Sequence, residues 1–370
     1  MRSLAPDKAP QRTRVVVAMS GGVDSSVTAA MLVAQGYDVI GITLKLFDPG
    51  KSFVPEGQCG AGTAIADAAR VAQVLSISHH VLDCESRFAK NVMDYFADSY
   101  LRGKTPIPCV LCNKGVKFGE LMDKARELGA EALATGHYAR RIEGEGGIEL
   151  HRAVDDARDQ SYFLFALSRE QLEYVRFPLG EMSKTDVRAL AARYRLPVAE
   201  KPDSQDICFV PDGDYAGAVC RLRPGAVTPG LIVDLEGHTV GRHEGIINFT
   251  VGQRRGLNIG GRDGESNEPL YVVRLDSELN QVVVGPREAL AQTEVKLNEL
   301  NWLGADVPGD GLEVAVRLRS AQKPAPARFF RTEGSGRIVL REPAYGVAPG
   351  QAGVIYDGSR VLGGGWIAGE

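Results

Sequence analysis

Several features are scarce in this 370-residue chain. No apolar run approaches the 18 or so residues that a membrane-spanning helix needs, so an integral helical membrane protein is excluded and no membrane partner is expected. Neither sign of charge dominates. Lys and Arg number 43 against 47 Asp and Glu, a formal net charge of −4, so nothing global attracts nucleic acid or an anionic surface, and such a partner would have to meet a local patch. Six cysteines in the whole chain exclude the disulfide framework of a small secreted domain and leave core thiols, metal ligands or nucleophiles. Repeats and low-complexity tracts are missing, and 44% hydrophobic with 24% charged residues is ordinary globular composition, which excludes disordered and fibrous architectures. Near the start, Arg2, Lys8, Arg12 and Arg14 precede the apolar Val15, Val16 and Val17, but the run stops at Ser20-Gly21-Gly22, short of a signal-peptide core. Residues 1–12 are expected to be a disordered tail and the protein a cytoplasmic monomer. Glycine is the one excess: 43 of 370 residues, about 12% where roughly 7% is average, so many backbone positions need positive φ or close approach.

The first 140 residues alternate strand and helix signals. Residues 14–18, 38–46, 78–82 and 132–134 read as strands; 25–35, 64–75, 87–101 and 114–128 read as helices. This order predicts a parallel sheet covered on both faces, with ligands beyond the carboxyl ends of its strands. Residues 141–151 read as a hairpin around Gly144-Glu145-Gly146-Gly147, and 168–174 and 183–194 as helices, the second opened by Ser183 with Asp186 three residues on. After Pro211 turn signals recur every 8 to 12 residues between short β-branched runs. The fold class expected is therefore α/β, a parallel-sheet nucleotide domain over 13–210, then a small central β-rich domain over 211–282 and a C-terminal β-barrel over 283–370.

Ala18-Met19-Ser20-Gly21-Gly22-Val23-Asp24-Ser25 follows the first strand and opens the first helix. Two glycines let successive N–H groups curl inward, and the helix N-terminus adds partial positive charge, which together suit a phosphate. No Lys follows the glycines, so this is not a Walker loop, and the dinucleotide spacing G-x-G-x-x-G is absent. A tight βα turn capped by Ser and Asp is the plain alternative. The string S-G-G-x-D-S in this position resembles the PP-loop of the ATP pyrophosphatases, which cleave ATP between its α and β phosphates. That resemblance implies ATP with Mg2+, pyrophosphate held by Ser20, Gly21, Gly22, Asp24 and Ser25, and adenine near Leu44 and Gly136.

Cys109-Val110-Leu111-Cys112-Asn113-Lys114 sets two thiols three residues apart ahead of a helix. A helix N-terminus beside Lys114 and Lys117 is expected to lower the Cys112 pKa. Cys208 lies between Ile207 and Phe209, where a Cys is commonly a small buried hydrophobe. Cys59, Cys84 and Cys220 read as core or incidental thiols. From about Arg14 to the end the chain is similar to the tRNA-uridine 2-sulfurtransferase (tRNA-specific 2-thiouridylase) family. The strings that carry the likeness include Thr135-Gly136-His137-Tyr138-Ala139, Asp159-Gln160-Ser161-Tyr162-Phe163-Leu164, Phe177-Pro178-Leu179-Gly180, the Cys208 segment, the 250–257 segment Thr-Val-Gly-Gln-Arg-Arg-Gly-Leu, and Ala348-Pro349-Gly350-Gln351.

The resemblance implies ATP-dependent 2-thiolation of the wobble uridine. The 2-oxo group is adenylated, a persulfide on Cys208 supplied by a sulfur-relay protein or cysteine desulfurase attacks, and Cys112 completes release. It also implies tRNA contacts from His137, Arg158, Asp159, Gln160, Arg319, Ser320 and Gln351. One departure is Cys109, where Asp is expected. Cys109, Cys112 and Cys208 could instead hold an iron–sulfur cluster. Arginines at 317, 319, 328, 331, 337 and 341, with Lys323, stand against only Glu333 between 317 and 341, and Arg242, Arg254, Arg255 and Arg262 form a second cluster; both suit phosphate contact. Two other classes share parts of this reading: an amidating PP-loop ligase, which needs neither thiol, and a non-catalytic RNA-binding or iron–sulfur carrier protein.

Overall fold

The computed structural model describes residues 8–47, 61–203, 206–210, 213–259 and 268–369. Cys59 and Arg262 lie outside them. The chain packs as two compact units: the first is 1–92, 109–213 and 359–362, the second 93–108, 214–358 and 363–370.

The first unit is built on a parallel sheet of β1 (Arg14–Ala18), β2 (Asp38–Lys45), β3 (Ser78–Asp83), β4 (Ala132–Thr135) and, after the hairpin β5 (Ala139–Gly144) and β6 (Gly147–Arg152), the short β7 (Val175–Arg176). The strand order is β3-β2-β1-β4-β7. β1 is central, and its β-branched Val15, Val16 and Val17 are fully buried, as expected of a strand covered on both faces. Helices α1 (Val23–Ala34) and α2 (Ala61–Leu75) supply Val27, Leu32, Ala68 and Val71 to the same core. Successive strands step from β1 to β2 to β3 in one direction, whereas β4 lies on β1's other side. The reversal leaves a crevice past the carboxyl ends of β1 and β4, where Ala18 pairs with Thr135, and this is where such sheets bind ligands.

Two helices expected to be continuous are not regular. The 87–101 stretch is an α-helical turn Glu85–Phe88, a π-helical turn Ala89–Met93 and an α-helix Asp94–Leu101. The 114–128 stretch begins earlier, as an α-helical turn Pro108–Leu111, continues as a π-helix Cys112–Glu120, and reverts to α over Leu121–Glu127. The helices Arg169–Tyr174 and Lys184–Arg193 both open with capping boxes, Ser168 with Gln171 and Ser183 with Asp186. The tail expected over 1–12 is corrected from Lys8 onward: Pro10–Arg12 is a 3-10 turn, and Lys8 Nζ is 2.7 Å from Glu131.

The second unit contains β8 (Gly230–Val233), β9 (Thr239–His243), β10 (Tyr271–Asp276) and β11 (Gln281–Gly285) in a four-stranded sheet ordered β10-β11-β8-β9, around Ile232, Phe249, Val272, Val282 and Val284. It also holds a six-stranded β-barrel. Strands β12 (Ala291–Trp302), β13 (Leu312–Arg317), β14 (Ala325–Thr332), β15 (Ser335–Tyr345), β16 (Ala352–Asp357) and β17 (Arg360–Ile367) run in the order β12-β15-β14-β13-β16-β17. Pairing of β12 with β17, Leu297 opposite Ile367, closes it. A helix Tyr215–Leu222, capped by Asp214, opens this part of the chain; the turn signals after Pro211 did not reveal it.

Candidate active site

The loop between β1 and α1 is shaped by its glycines and serines. Gly21 adopts φ +71°, and a Cβ there would lie 2.3 Å from the Ala64 carbonyl oxygen of α2. Gly22 is the N-cap residue of α1, at φ −96° and ψ 167°. Ser25 Oγ accepts from the Ser20 amide at 3.1 Å and donates to the Gly22 carbonyl at 3.2 Å, and Ser26 Oγ donates to the same carbonyl at 2.8 Å. Met19 is buried and Val23 enters the core. The loop is thus a fixed turn presenting the first amides of α1, a geometry that fits a phosphate. Gly136, just after β4, packs so closely on this loop that a Cβ would sit 2.7 Å from the Ser25 amide nitrogen. Leu44, half-buried, pairs with Leu82 at the carboxyl end of β2.

A charged network that sequence reading missed surrounds the loop. Asp24 accepts from Lys184 Nζ at 2.7 and 2.9 Å and from the Tyr138 hydroxyl at 2.9 Å. The same Lys184 ammonium is 2.7 Å from Asp203. Arg158 at 3.0 Å and Arg188 at 3.1 Å also bind Asp203. Burial works against the Asp203 carboxylate, yet the Lys184 hydrogen bond and the charges of Lys184, Arg158 and Arg188 hold its pKa below the ordinary value. Lys201 donates to the Gly21 carbonyl at 3.0 Å and to Asp67 at 2.5 Å. Partners 160 and 180 residues apart leave no local signature.

Three thiols share the field of Lys117. The π-helix starts at Cys112, which is buried, while Cys109 and Cys208 reach the surface; all three are free thiols. Lys117, five residues on and so about one π-turn from Cys112, lowers the pKa of Cys109, Cys112 and Cys208, and each of these groups is raised first by burial. Cys208 is raised strongly: although part of its surface is open, dense packing around its sulfur disfavours the anion, and Cys112 and Cys109 add to the rise. The lowered Cys112 pKa expected from sequence is therefore corrected. Cys112 is not at an exposed helix N-terminus, and desolvation outweighs the nearby lysines. Among the described residues only Asp234, Glu236 and His238 bring three ligand atoms within 4.8 Å of one another. Cys109, Cys112 and Cys208 are not such a trio.

His137 forms an aromatic wall with Phe118 and Phe177, ring centroids 5.9 and 6.2 Å away. Burial, aided by the charge of Lys117, pushes its pKa down to about 3, so the ring is neutral. Gln160 fixes the adjoining loop by accepting from the Tyr138 amide at 2.9 Å. Asp159 is turned inward, its side chain fully buried and accepting from the amides of Ala153 and Ser161 and from the Ser161 hydroxyl. It shapes the turn that carries Arg158 and Gln160.

In the second unit Arg319 donates to the carbonyls of Tyr345 and Gly346, Ser320 is exposed, and Gln351 donates to the Thr105 carbonyl at 3.0 Å. The arginine patch is less free than its sequence implies. Arg328 and Arg341 share Glu313 at 2.6 Å each, Arg337 pairs with Glu294 at 3.1 Å, and Arg317 is buried, 5.4 Å from the Tyr356 ring. The window of 317–341 had hidden these acidic partners on neighbouring strands.

Comparison with known proteins covers nearly the whole chain. The family model described as the tRNA methyl transferase HUP domain matches residues 13–212, the tRNA methyl transferase PRC-barrel domain 222–286, and the aminomethyltransferase beta-barrel domain 292–367. The tRNA-specific 2-thiouridylase MnmA of Rhodospirillum centenum is 62% identical over 99% of this chain and 94% of its own length. The chain belongs to the tRNA-specific 2-thiouridylase family. A second 2-thiouridylase, from Parvibaculum lavamentivorans, is 60% identical over 97% of this chain and 91% of its own. The solved U34-tRNA thiolase NcsA of Methanococcus maripaludis, with its [4Fe-4S] cluster, aligns with 60% of this 2-thiouridylase-family chain and 71% of its own, at 16% identity and a TM-score of 0.36, a likeness too slight to argue from.

Proposed function

We propose that this protein uses ATP to replace the 2-oxo group of the wobble uridine of tRNA by sulfur. The observation that carries the reading is the combination, within one packed unit, of a glycine–serine phosphate loop with two free thiols, Cys112 and Cys208, near enough that Cys112 adds to the rise in the Cys208 pKa and both feel Lys117. The loop 20–25 would bind the β and γ phosphates, with the Asp24 carboxylate as the oxygen ligand available to Mg2+. That metal, when bound, would neutralise charge on the departing pyrophosphate.

Adenylation turns a poor leaving oxygen into AMP. A Cys208 persulfide, loaded by a sulfur-relay protein or cysteine desulfurase, then attacks carbon 2 through its terminal sulfur. AMP departs with the former 2-oxo oxygen, leaving a mixed disulfide between the base and Cys208. The Cys112 thiolate attacks the Cys208 sulfur, releasing the thiolated base and forming a Cys112–Cys208 disulfide that an external thiol reductant reduces. Lys117 is the cation that favours the sulfur anions in turn. Neutral His137, backed by the buried Phe118 and Phe177, offers a ring suited to contact with an everted base. A persulfide path needs only the two thiols, whereas a cluster would need all three cysteines as ligands.

The test uses purified protein, unmodified tRNA, ATP and a persulfide donor. Cys208→Ser is expected to release pyrophosphate in a tRNA-dependent manner, with AMP left on the base, and to form no 2-thiouridine. Product formation by Cys208→Ser at the wild-type rate would overturn the assignment, and AMP release indifferent to tRNA would favour a different acceptor.

A further inference from the structure

Three groups with different duties meet at one carboxylate. Asp203 lies five residues before Cys208, in the segment that carries the sulfur. Its Oδ1 is 2.7 Å from Lys184, whose ammonium also holds Asp24 of the nucleotide loop at 2.7 Å. Its Oδ2 is 3.0 Å from Arg158, the side chain expected to touch tRNA. Arg188, which is not part of either substrate site, steadies Asp203 at 3.1 Å and bonds the carbonyls of Ala199 at 3.1 Å and Lys201 at 3.4 Å. Lys201 in turn donates to the Gly21 carbonyl of the loop. Lys184 is buried and Asp203 nearly so, so water does not readily replace a lost partner.

We propose that Asp203 is a positioning residue that keeps ATP cleavage and sulfur transfer in step. The inference rests on the reaction proposed above. A triphosphate at the loop competes with Asp203 for Lys184, and an RNA phosphate competes with it for Arg158. Each substrate therefore changes the hold on the chain that leads to Cys208, and both must be present for Asp203 to be released to Arg188 alone. Cleaving ATP while the sulfur segment is still clamped would leave the adenylated base to water, which hydrolyses it, releasing AMP and restoring the 2-oxo group without product.

The readout is the amount of 2-thiouridine formed per AMP released, measured on the full-length protein with tRNA, ATP and a persulfide donor. Wild type is expected to stay near one product per AMP. Asp203→Asn removes the charge but not the shape, and is expected to lower that ratio by roughly fivefold or more, the low end of ordinary coupling between sites. Asp203→Glu restores the charge and is expected to recover much of the ratio. Arg188→Gln, which loosens Asp203 from the side that no substrate touches, is expected to lower the ratio to a lesser extent and carries the test should Asp203→Asn not fold. A structural role would slow both outputs together, so an unchanged ratio in folded Asp203→Asn or Arg188→Gln overturns the proposal. Absence of tRNA-dependent AMP release from wild type would instead overturn the reaction on which it rests.

Discussion

Two adjacent alanine substitutions in the phosphate loop are expected to fail in different ways. At Gly21 the backbone sits at φ +71°, and an added Cβ would lie 2.3 Å from the Ala64 carbonyl oxygen and 2.9 Å from that residue's Cα and carbonyl carbon. The left-handed conformation costs an L-residue about 1–2 kcal/mol, and forcing a methyl into a packed backbone contact costs about 1–3 kcal/mol more. Gly21→Ala should therefore lose roughly 2–5 kcal/mol of stability in the first unit. At Gly22 φ is −96°, and the nearest atom to an added Cβ is Ser20 Oγ at 3.5 Å, an ordinary contact. Replacing a glycine N-cap by Ala there should cost no more than about 1 kcal/mol. What Gly22→Ala should lose is the nucleotide, because its methyl stands beside the amides that a phosphate must approach. The roughly 2.7 kcal/mol by which ATP at a hundredfold excess over its dissociation constant stabilises a native protein should shrink or vanish. Both tryptophans, Trp302 and Trp366, lie in the second unit, so fluorescence would follow the wrong part of the molecule. Hydrogen exchange of peptides covering 14–34, with and without MgATP, reads the right one. Equal destabilisation by the two substitutions, or a Gly21→Ala protein as protected as wild type, would refute the steric reasoning.

Other outcomes can be checked alongside. Lys184→Met leaves Asp24 and Asp203 without their shared cation and should destabilise the first unit by about 3 kcal/mol or more, read by the same exchange experiment. Lys117→Met removes the charge that opposes burial at Cys112 and Cys208, so the pH dependence of their alkylation should move upward, with Lys117→Arg close to wild type; an unmoved profile refutes Lys117 as the shared cation. His137 titrates near 3 when folded and near 6.5 when unfolded. The unfolded chain therefore binds an extra proton between those values, and stability should fall as pH drops through that window, with a limiting slope of about 1.4 kcal/mol per pH unit. His137→Phe should flatten that slope in acid unfolding. An equal slope in the variant would sink the assignment.

Much of the first unit was legible because its signals are local. The valine run of β1, the loop glycines and the Ser183–Asp186 cap each act within a few residues, and each sits in the structure where its chemistry requires. Lys184 carried no signal because its duty depends on Asp24 and Asp203, which only the fold brings to it. Cys112 was misread in sign for the same reason: nearby lysines are visible in the sequence, whereas burial of the sulfur is not. The helix over 112–127 was anticipated in kind but not in geometry, because a wide turn with one more residue leaves the apolar pattern almost intact. Glu313 and Glu294 neutralise arginines across strands, where a linear count of charges does not look.

The π-helix that begins at Cys112 also has a meaning for how this sequence tolerates change. Its wider turn behaves as a built-in insertion, setting Cys112 at one end against Phe118 and its partner His137 near the other. Removing a single residue between them would let the segment relax to an ordinary helix, in which one step fewer, at about 100° each, brings the two ends back to nearly the same relative bearing. Side-chain replacements at exposed Lys114 or Gly115 leave that phase untouched. The buried face of Cys112, Asn113, Val116 and Phe118, more than the residue count, is what this stretch must preserve.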